Sequence, residues 1–263
     1  MLLNNYLGDP AEKPLDRIVD DGGFTAIFRT IGCIGDSLSS GEFESTDPEC
    51  TKKGYHDYFE YSWGQYIARA AGCKVYNFSK GGMTAKQYWE SFAENNDFWN
   101  PEKLCQAYII ALGVNDIFGQ NQEIGSVADI NREDYSQNAE TFCGYYAKII
   151  QRLKSMQPQA RFFLMTMPRG RADDKGDRHA KLLYDLADFV DYTYVLDFHK
   201  YAPVYDDEFK KKFYLGGHMN PMGYILTAKM TMSYIDYIIR HNMEDFAQVG
   251  FIGKGVHNYS AKW

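Results

Sequence analysis

Short apolar segments alternate with helix-like ones along this chain, and that alternation constrains its fold more than any other feature. The apolar runs are Phe28 to Ile34 (FRTIGCI), Cys73 to Phe78, Ala107 to Leu112 (AYIIAL), Arg161 to Met167 (RFFLMTM) and Tyr192 to Leu196. AYIIAL shows no polar alternation, as expected of a strand buried on both faces of a parallel sheet. Helix-like segments lie between the runs: Tyr55 to Ala71, stopped by Gly72; Thr84 to Ala93; Glu133 to Met156, broken after by Pro158; and Asp177 to Val190. A last helix opens at Asn220-Pro221 and runs to about Arg240, with Asn at the cap and Pro at the first helical position. This order predicts an α/β fold, a three-layer sandwich with a parallel sheet of about five strands between helices. Right-handed crossovers then gather the strand-to-helix loops on one edge, where such sheets bind ligands.

No repeat, low-complexity tract or Pro/Gly/Ser linker interrupts the 263 residues, so 1–263 reads as one domain, with an N-terminal extension over 1–27 and a C-terminal tail over 242–263. The formal net charge of -7 argues against a nucleic-acid partner. The five cysteines form no C-x-x-C pair, and Cys33, Cys73 and Cys105 sit in or beside the apolar runs. They read as buried thiols of a reducing compartment, and no cluster of ligands points to a metal. The opening MLLNNYLGDPAEKPLDRIVDDGG lacks a basic region followed by a sustained apolar stretch, and nothing approaches the roughly 20 apolar residues of a membrane span. The expectation is a cytoplasmic protein without a membrane partner.

Four short motifs carry the candidate chemistry. Gly35-Asp36-Ser37-Leu38-Ser39 follows the first run, where a tight turn exposes a serine hydroxyl; the same residue types also build ordinary turns. Asn77-Phe78-Ser79-Lys80-Gly81-Gly82-Met83-Thr84 follows the second, and its glycines allow close backbone approach to a ligand. Gly113-Val114-Asn115-Asp116 ends AYIIAL and offers a side-chain amide, or simply a helix cap. Gly216-Gly217-His218-Met219-Asn220-Pro221 places a histidine just before the last, well-capped helix. No phosphate-binding G-x-x-x-x-G-K-[ST] motif is present, which disfavours a nucleotide binder.

In order and spacing these four blocks resemble the SGNH (GDSL-type) hydrolase family, over about Ile31 to Tyr234. GDSLS matches the first block, N-x-S-x-x-G-x-T the second, G-x-N-D the third and H-x-N-x-x-G-Y the last. The resemblance implies a flavodoxin-like α/β/α sandwich. It also implies Ser37 as nucleophile, His218 as general base, and an oxyanion hole from the Ser37 N–H, the Gly82 N–H and the Asn115 amide. No metal or organic cofactor is implied.

One position departs from the family. An Asp usually stands three residues before the histidine, where it binds Nδ1–H and fixes the tautomer; here that residue is Leu215. The carboxylates near in sequence are Asp197, Asp206, Asp207 and Glu208. The last three read as a solvated turn before Lys210-Lys211-Lys212. The expectation is therefore a Ser–His dyad with Nδ1 on a main-chain carbonyl or water, improved by Leu215→Asp. For substrate, the family implies carbohydrate O-acetylesters, thioesters, lysophospholipids or aryl esters. With no lid-like apolar helix, a short-chain, acetyl ester of a carbohydrate is the reading, with Arg169 and Arg171 as candidate substrate contacts. The alternatives are a non-catalytic carbohydrate-binding protein on the same fold and a lipid or thioester hydrolase.

Overall fold

A computed structural model of the chain describes residues 3–46, 53–170 and 174–257. Its strands are β1 Thr30–Gly35, β2 Glu42–Thr46, β3 Lys53–Asp57, β4 Lys74–Ser79, β5 Ala107–Ala111, β6 Arg161–Met165, β7 Thr193–Leu196, β8 Tyr214–Leu215 and β9 His218–Met219. Five of them form one sheet in the order β4-β1-β5-β6-β7, and every neighbouring pair is parallel. Counted within that sheet the order is 2-1-3-4-5, the flavodoxin-like winding, whose direction reverses between β1 and β5. The expected α/β class and sheet are therefore present.

Side-chain alternation along the strands explains their unbroken apolarity. Ala107, Ile109, Phe163 and Met165 point into the core on one face, with helices Trp63–Ala71 and Pro221–His241. Tyr108, Ile110, Phe162 and Leu164 point into the other, with helices Phe142–Met156 and Asp174–Phe189. Both faces of β5 and β6 are thus dry, and neither register of a polar alternation would fit.

Two expected helices start later than the sequence reading placed them. Tyr55 to Asp57 belong to β3, paired antiparallel with β2, and the helix begins only at Trp63 behind its Ser62 cap. Glu133 to Thr141 are not in the long helix either. Asn131 Oδ1 accepts from Glu133 N and Asp134 N at 2.9 Å, and Asp134 Oδ1 from Ser136 N at 2.9 Å. These local side-chain bonds outcompete the helix, which starts at Phe142 with Thr141 as cap.

The segment over 1–27 is fastened to the last helix where described. Arg240 bridges Asp236 at 2.8 Å and Glu12 at 2.8 and 3.0 Å, and Ser233 Oγ accepts from Val19 N at 3.0 Å. Cys33, Cys105 and Cys143 are buried thiols and Cys73 is half-buried; Cys50 lies outside the described residues. Among the described residues no helix is long and apolar enough to cross a membrane.

Candidate active site

The reversal between β1 and β5 leaves a crevice at the carboxyl ends of the strands. Asp36 follows β1 and caps the short Ser37–Ser40 helix, its Oδ1 accepting from Leu38 N at 3.1 Å. That cap turns the chain sharply and leaves Ser37 as first residue of the helix, with an N–H that needs a partner outside it. Asn115 comes from the turn after β5. Its Nδ2 donates to Asp36 Oδ2 at 3.3 Å and to the Met83 carbonyl at 3.2 Å, tying three of the motifs together. Gly82 lies in the turn after β4 at φ 74°, the left-handed region that favours glycine.

His218 reaches the same place from the other end of the chain. β8 and β9 form a minimal antiparallel pair, Leu215 opposite His218, turned by Gly216-Gly217. Asn220 then caps the last helix through Gly223 N at 3.0 Å. Ser37, Asn115, His218 and Arg169 together line a cleft of about 680 Å³, along with Val114, Phe118, Lys210 and Tyr214. That volume suits a small-molecule or oligosaccharide ligand. Gly82 is not among the lining residues, and Arg171 lies outside the described residues.

The dyad expectation for His218 is overturned. Its Nδ1 lies 2.7 Å from Glu44 Oε1, a carboxylate contributed by β2. Gly217 N donates to the same oxygen at 2.8 Å. The two glycines are required here. A Cβ on Gly216 would sit 2.4 Å from Glu44 Oε2, and one on Gly217 2.5 Å from Oε1. The acids near in sequence are used elsewhere. Asp197 accepts from Lys200 N at 3.1 Å and Tyr184 OH at 2.9 Å, Asp206 caps a helix through Phe209 N at 2.9 Å, and Glu208 pairs with Lys212 at 2.8 Å. Asp207 is exposed in the first turn of that helix.

The other ring nitrogen also faces a carboxylate, without a hydrogen bond to it. His218 Nε2 lies 3.1 Å from Glu42 Oε1, and among the described residues no hydrogen bond joins it to Ser37. Glu42 and Glu44 stand two apart on β2, so they share a face and both reach the imidazole. Neither was singled out from sequence. The signal available was E-x-E just after the GDSLS block, with the two glycines before the histidine.

Burial sets the electrostatics around this cluster. It pushes the Asp36 carboxyl up to about 6, against the opposing Leu38 N–H and His218. It pushes the Asp116 carboxyl up to about 7, against the Ala85 N–H that Asp116 Oδ1 accepts at 2.8 Å. A hydroxyl, an imidazole braced by a carboxylate and nearby unspent N–H groups are the parts that acyl transfer uses.

The chain belongs to the GDSL-like lipase/acylhydrolase family, whose pattern matches residues 33–226. No protein of curated function matches it in sequence. Among solved structures it is similar to a family two carbohydrate esterase from Clostridium thermocellum in complex with cellohexaose, at 14% identity and TM-score 0.56, covering 82% of this chain and 65% of that one. A Myceliophthora fergusii carbohydrate esterase family 2 enzyme with a carbohydrate-binding domain gives 16% identity and TM-score 0.54, covering 79% and 65%. A Lactobacillus plantarum protein gives 16% identity and TM-score 0.55, covering 80% and 97%. At these identities the likeness is one of fold. This chain spans just under two thirds of the two esterase chains.

Proposed function

We propose that this protein is a serine esterase that cleaves short-chain, acetyl esters of a carbohydrate through an acyl-enzyme. Ser37 attacks the ester carbonyl. His218 takes the serine proton and returns it to the leaving alcohol, and Glu44 fixes the ring tautomer and offsets its positive charge. The oxyanion is received by the N–H groups of Ser37 and Gly82 and by the Asn115 amide, which exchanges one of its present acceptors for the substrate. The observation that carries this reading is the convergence of Ser37, Asn115 and His218 on one cleft, with a carboxylate 2.7 Å from Nδ1. Acylhydrolase family membership supports the reaction class. The carbohydrate substrate rests on the fold likeness to two carbohydrate esterases and on an open cleft bordered by Arg169.

A second reading, a carbohydrate-binding protein without turnover, is favoured by the placement of Nε2 on Glu42 rather than on Ser37. One experiment separates the two. A fluorophosphonate probe labels only an activated serine. We expect labelling of the parent and none of Ser37→Ala, together with hydrolysis of p-nitrophenyl acetate that the same substitution abolishes. Absence of labelling in the folded parent would sink the esterase reading.

A further inference from the structure

Two cations in the cleft have no partner. Arg169 and Lys210 both line it, and among the described residues neither side chain makes a hydrogen bond or an ion pair. Several other lysines of this acidic chain are paired. Lys212, two residues on from Lys210, meets Glu208 Oε1 at 2.8 Å, and Lys181 and Lys229 hold Asp185 and Asp20. An unpaired cation on an open surface is ordinary, but charges of one sign in a cleft focus their field on whatever enters it. Among the described residues the one acid on the lining is Asp36. It is buried and already engaged, its oxygens accepting from Leu38 N and Asn115 Nδ2.

The fold brings the two cations together from distant parts of the chain. Arg169 follows β6, and its carbonyl accepts from Tyr205 N at 2.8 Å. The Tyr205 ring stacks on Phe209 with centroids 4.0 Å apart, and Lys210 is the next residue of the helix Asp207–Phe213. Tyr205 and Phe209 are both buried, so one packed stack sets the position of both cations. His199 lines the cleft as well, but its Nε2 is held by Asp177 Oδ1 at 2.8 Å and its Nδ1 is enclosed, so it adds no free charge. The apolar recess that adjoins the cleft, lined by Trp63, Met165 and Phe198, includes neither Arg169 nor Lys210. The free charge therefore faces the larger, open part of the site. That part takes the alcohol of an ester, while the recess suits a small acyl group. Val114 and Phe118, apolar and exposed, line the same cleft and offer a sugar ring a surface to lie on.

We propose that Arg169 and Lys210 form an anion subsite, and that the ester cleaved here carries a negative group, a carboxylate or a phosphate, on its sugar. This rests on the reading of the protein as an esterase of carbohydrates and narrows it to acidic ones. Arg169 presents a planar fork of N–H donors that matches two oxygens of either group, and Lys210 adds a point charge. The subsite binds and orients, and proton transfer stays with His218. It also draws an acidic substrate toward a protein whose net charge of -7 would otherwise repel it.

Three acetyl esters that share a pyranose ring test it: O-acetylated glucose, glucuronic acid and glucose 6-phosphate. The parent is expected to give a kcat/KM about tenfold higher for at least one acidic ester than for the neutral one, and added salt is expected to shrink that ratio. Arg169→Gln/Lys210→Gln is expected to bring the ratio down to about one, with each single variant in between. Both side chains are exposed, so these variants are expected to fold. Lys212→Gln is expected to keep the parent ratio, because Lys212 is paired with Glu208 and does not line the cleft. A preference for the glucuronate alone identifies a carboxylate, and for the sugar phosphate alone a phosphate. Equal rates for all three esters, or a preference that the double variant keeps, overturn the proposal. The same esters are then titrated by calorimetry into Ser37→Ala and Ser37→Ala/Arg169→Gln/Lys210→Gln, which reads binding without turnover. Tighter binding of an acidic ester that the two further substitutions abolish supports the subsite, even where the parent hydrolyses none of the esters and takes no fluorophosphonate label, results that would fell the esterase reading alone. Equal binding of all three esters by folded Ser37→Ala overturns the subsite.

Discussion

At the residue scale the site turns on which atom meets His218 Nδ1. Glu44 reaches it at 2.7 Å and also receives Gly217 N at 2.8 Å, so one carboxylate orients the ring and shapes the loop that delivers it. Glu44→Gln keeps the shape and removes the charge that stabilises the imidazolium during catalysis. The expected outcome is a fall in kcat of roughly 100- to 10,000-fold with KM little changed, and partial recovery in Glu44→Asp. Steady-state kinetics beside a thermal melt separates this from misfolding, and parent-like kcat would remove Glu44 from the proposed mechanism. Leu215→Asp places an acid at the family position, but Leu215 is 53% exposed and Nδ1 is already occupied. We therefore expect no gain in kcat from it. A clear rise would mean that Glu44 does not hold the ring in solution.

At the scale of elements, the strands of the parallel sheet were legible because burial on both faces leaves uninterrupted apolar runs such as AYIIAL. The cap of the last helix was legible because Asn220-Pro221 is a local signal. β2 was not. Its buried face carries Glu42 and Glu44, a pattern that reads as solvent-facing, and the imidazole that both approach, His218, lies 174 residues from Glu44 in the chain. Tyr55 to Asp57 were misread for the same reason, since their partner strand was invisible. Another buried acid joins the turn after β5 to the helix after β4. Asp116 is fully buried, accepts from Ala85 N at 2.8 Å, and its other oxygen has no hydrogen-bond partner among the described residues. Its carboxyl is raised from 3.8 to about 7. A raised carboxyl favours the protonated fold, so the stability tied to it is whole below pH 4 and is lost as pH rises through about 7. The span corresponds to about 4 kcal/mol. Asp116→Asn keeps the acceptor for Ala85 without a charge to bury. Its Tm relative to the parent is expected to grow by roughly 5–10 °C between pH 4 and pH 8. A difference that stays flat across that range would show that Asp116 is not held protonated.

At the scale of the whole molecule, the winding of the sheet decides what surrounds the reacting centre and so which acyl chains fit. The ends of β5 and β6 and the segment after β7 meet the helices of one layer just below the cleft. They enclose a recess of about 50 Å³ lined by Leu38, Trp63, Leu112, Met165, Phe198 and Met219. It shares Asp36, Leu38, Val114, Met167, Pro168 and Tyr205 with the cleft that holds Ser37. The recess has room for a small apolar group such as the methyl of an acetyl ester, or for a few waters. A longer acyl chain finds no such room and must lie along the open cleft, where it buries little of the roughly 0.8 kcal/mol available per methylene. Under the esterase reading, kcat/KM is expected to fall from p-nitrophenyl acetate to the octanoate. The walls are adjustable, because Met165 and Met167 are flexible side chains that fill space without polar ties. Met167→Ala should widen the passage between recess and cleft and raise kcat/KM for butyrate and hexanoate relative to acetate, with acetate itself changed little. If the parent already prefers octanoate, the recess does not receive the acyl group and the substrate is a lipid. If Met167→Ala leaves the acyl-length profile where it was while Ser37 still labels, chain length is set by the open cleft alone, and the preference for a short acyl group loses its structural basis.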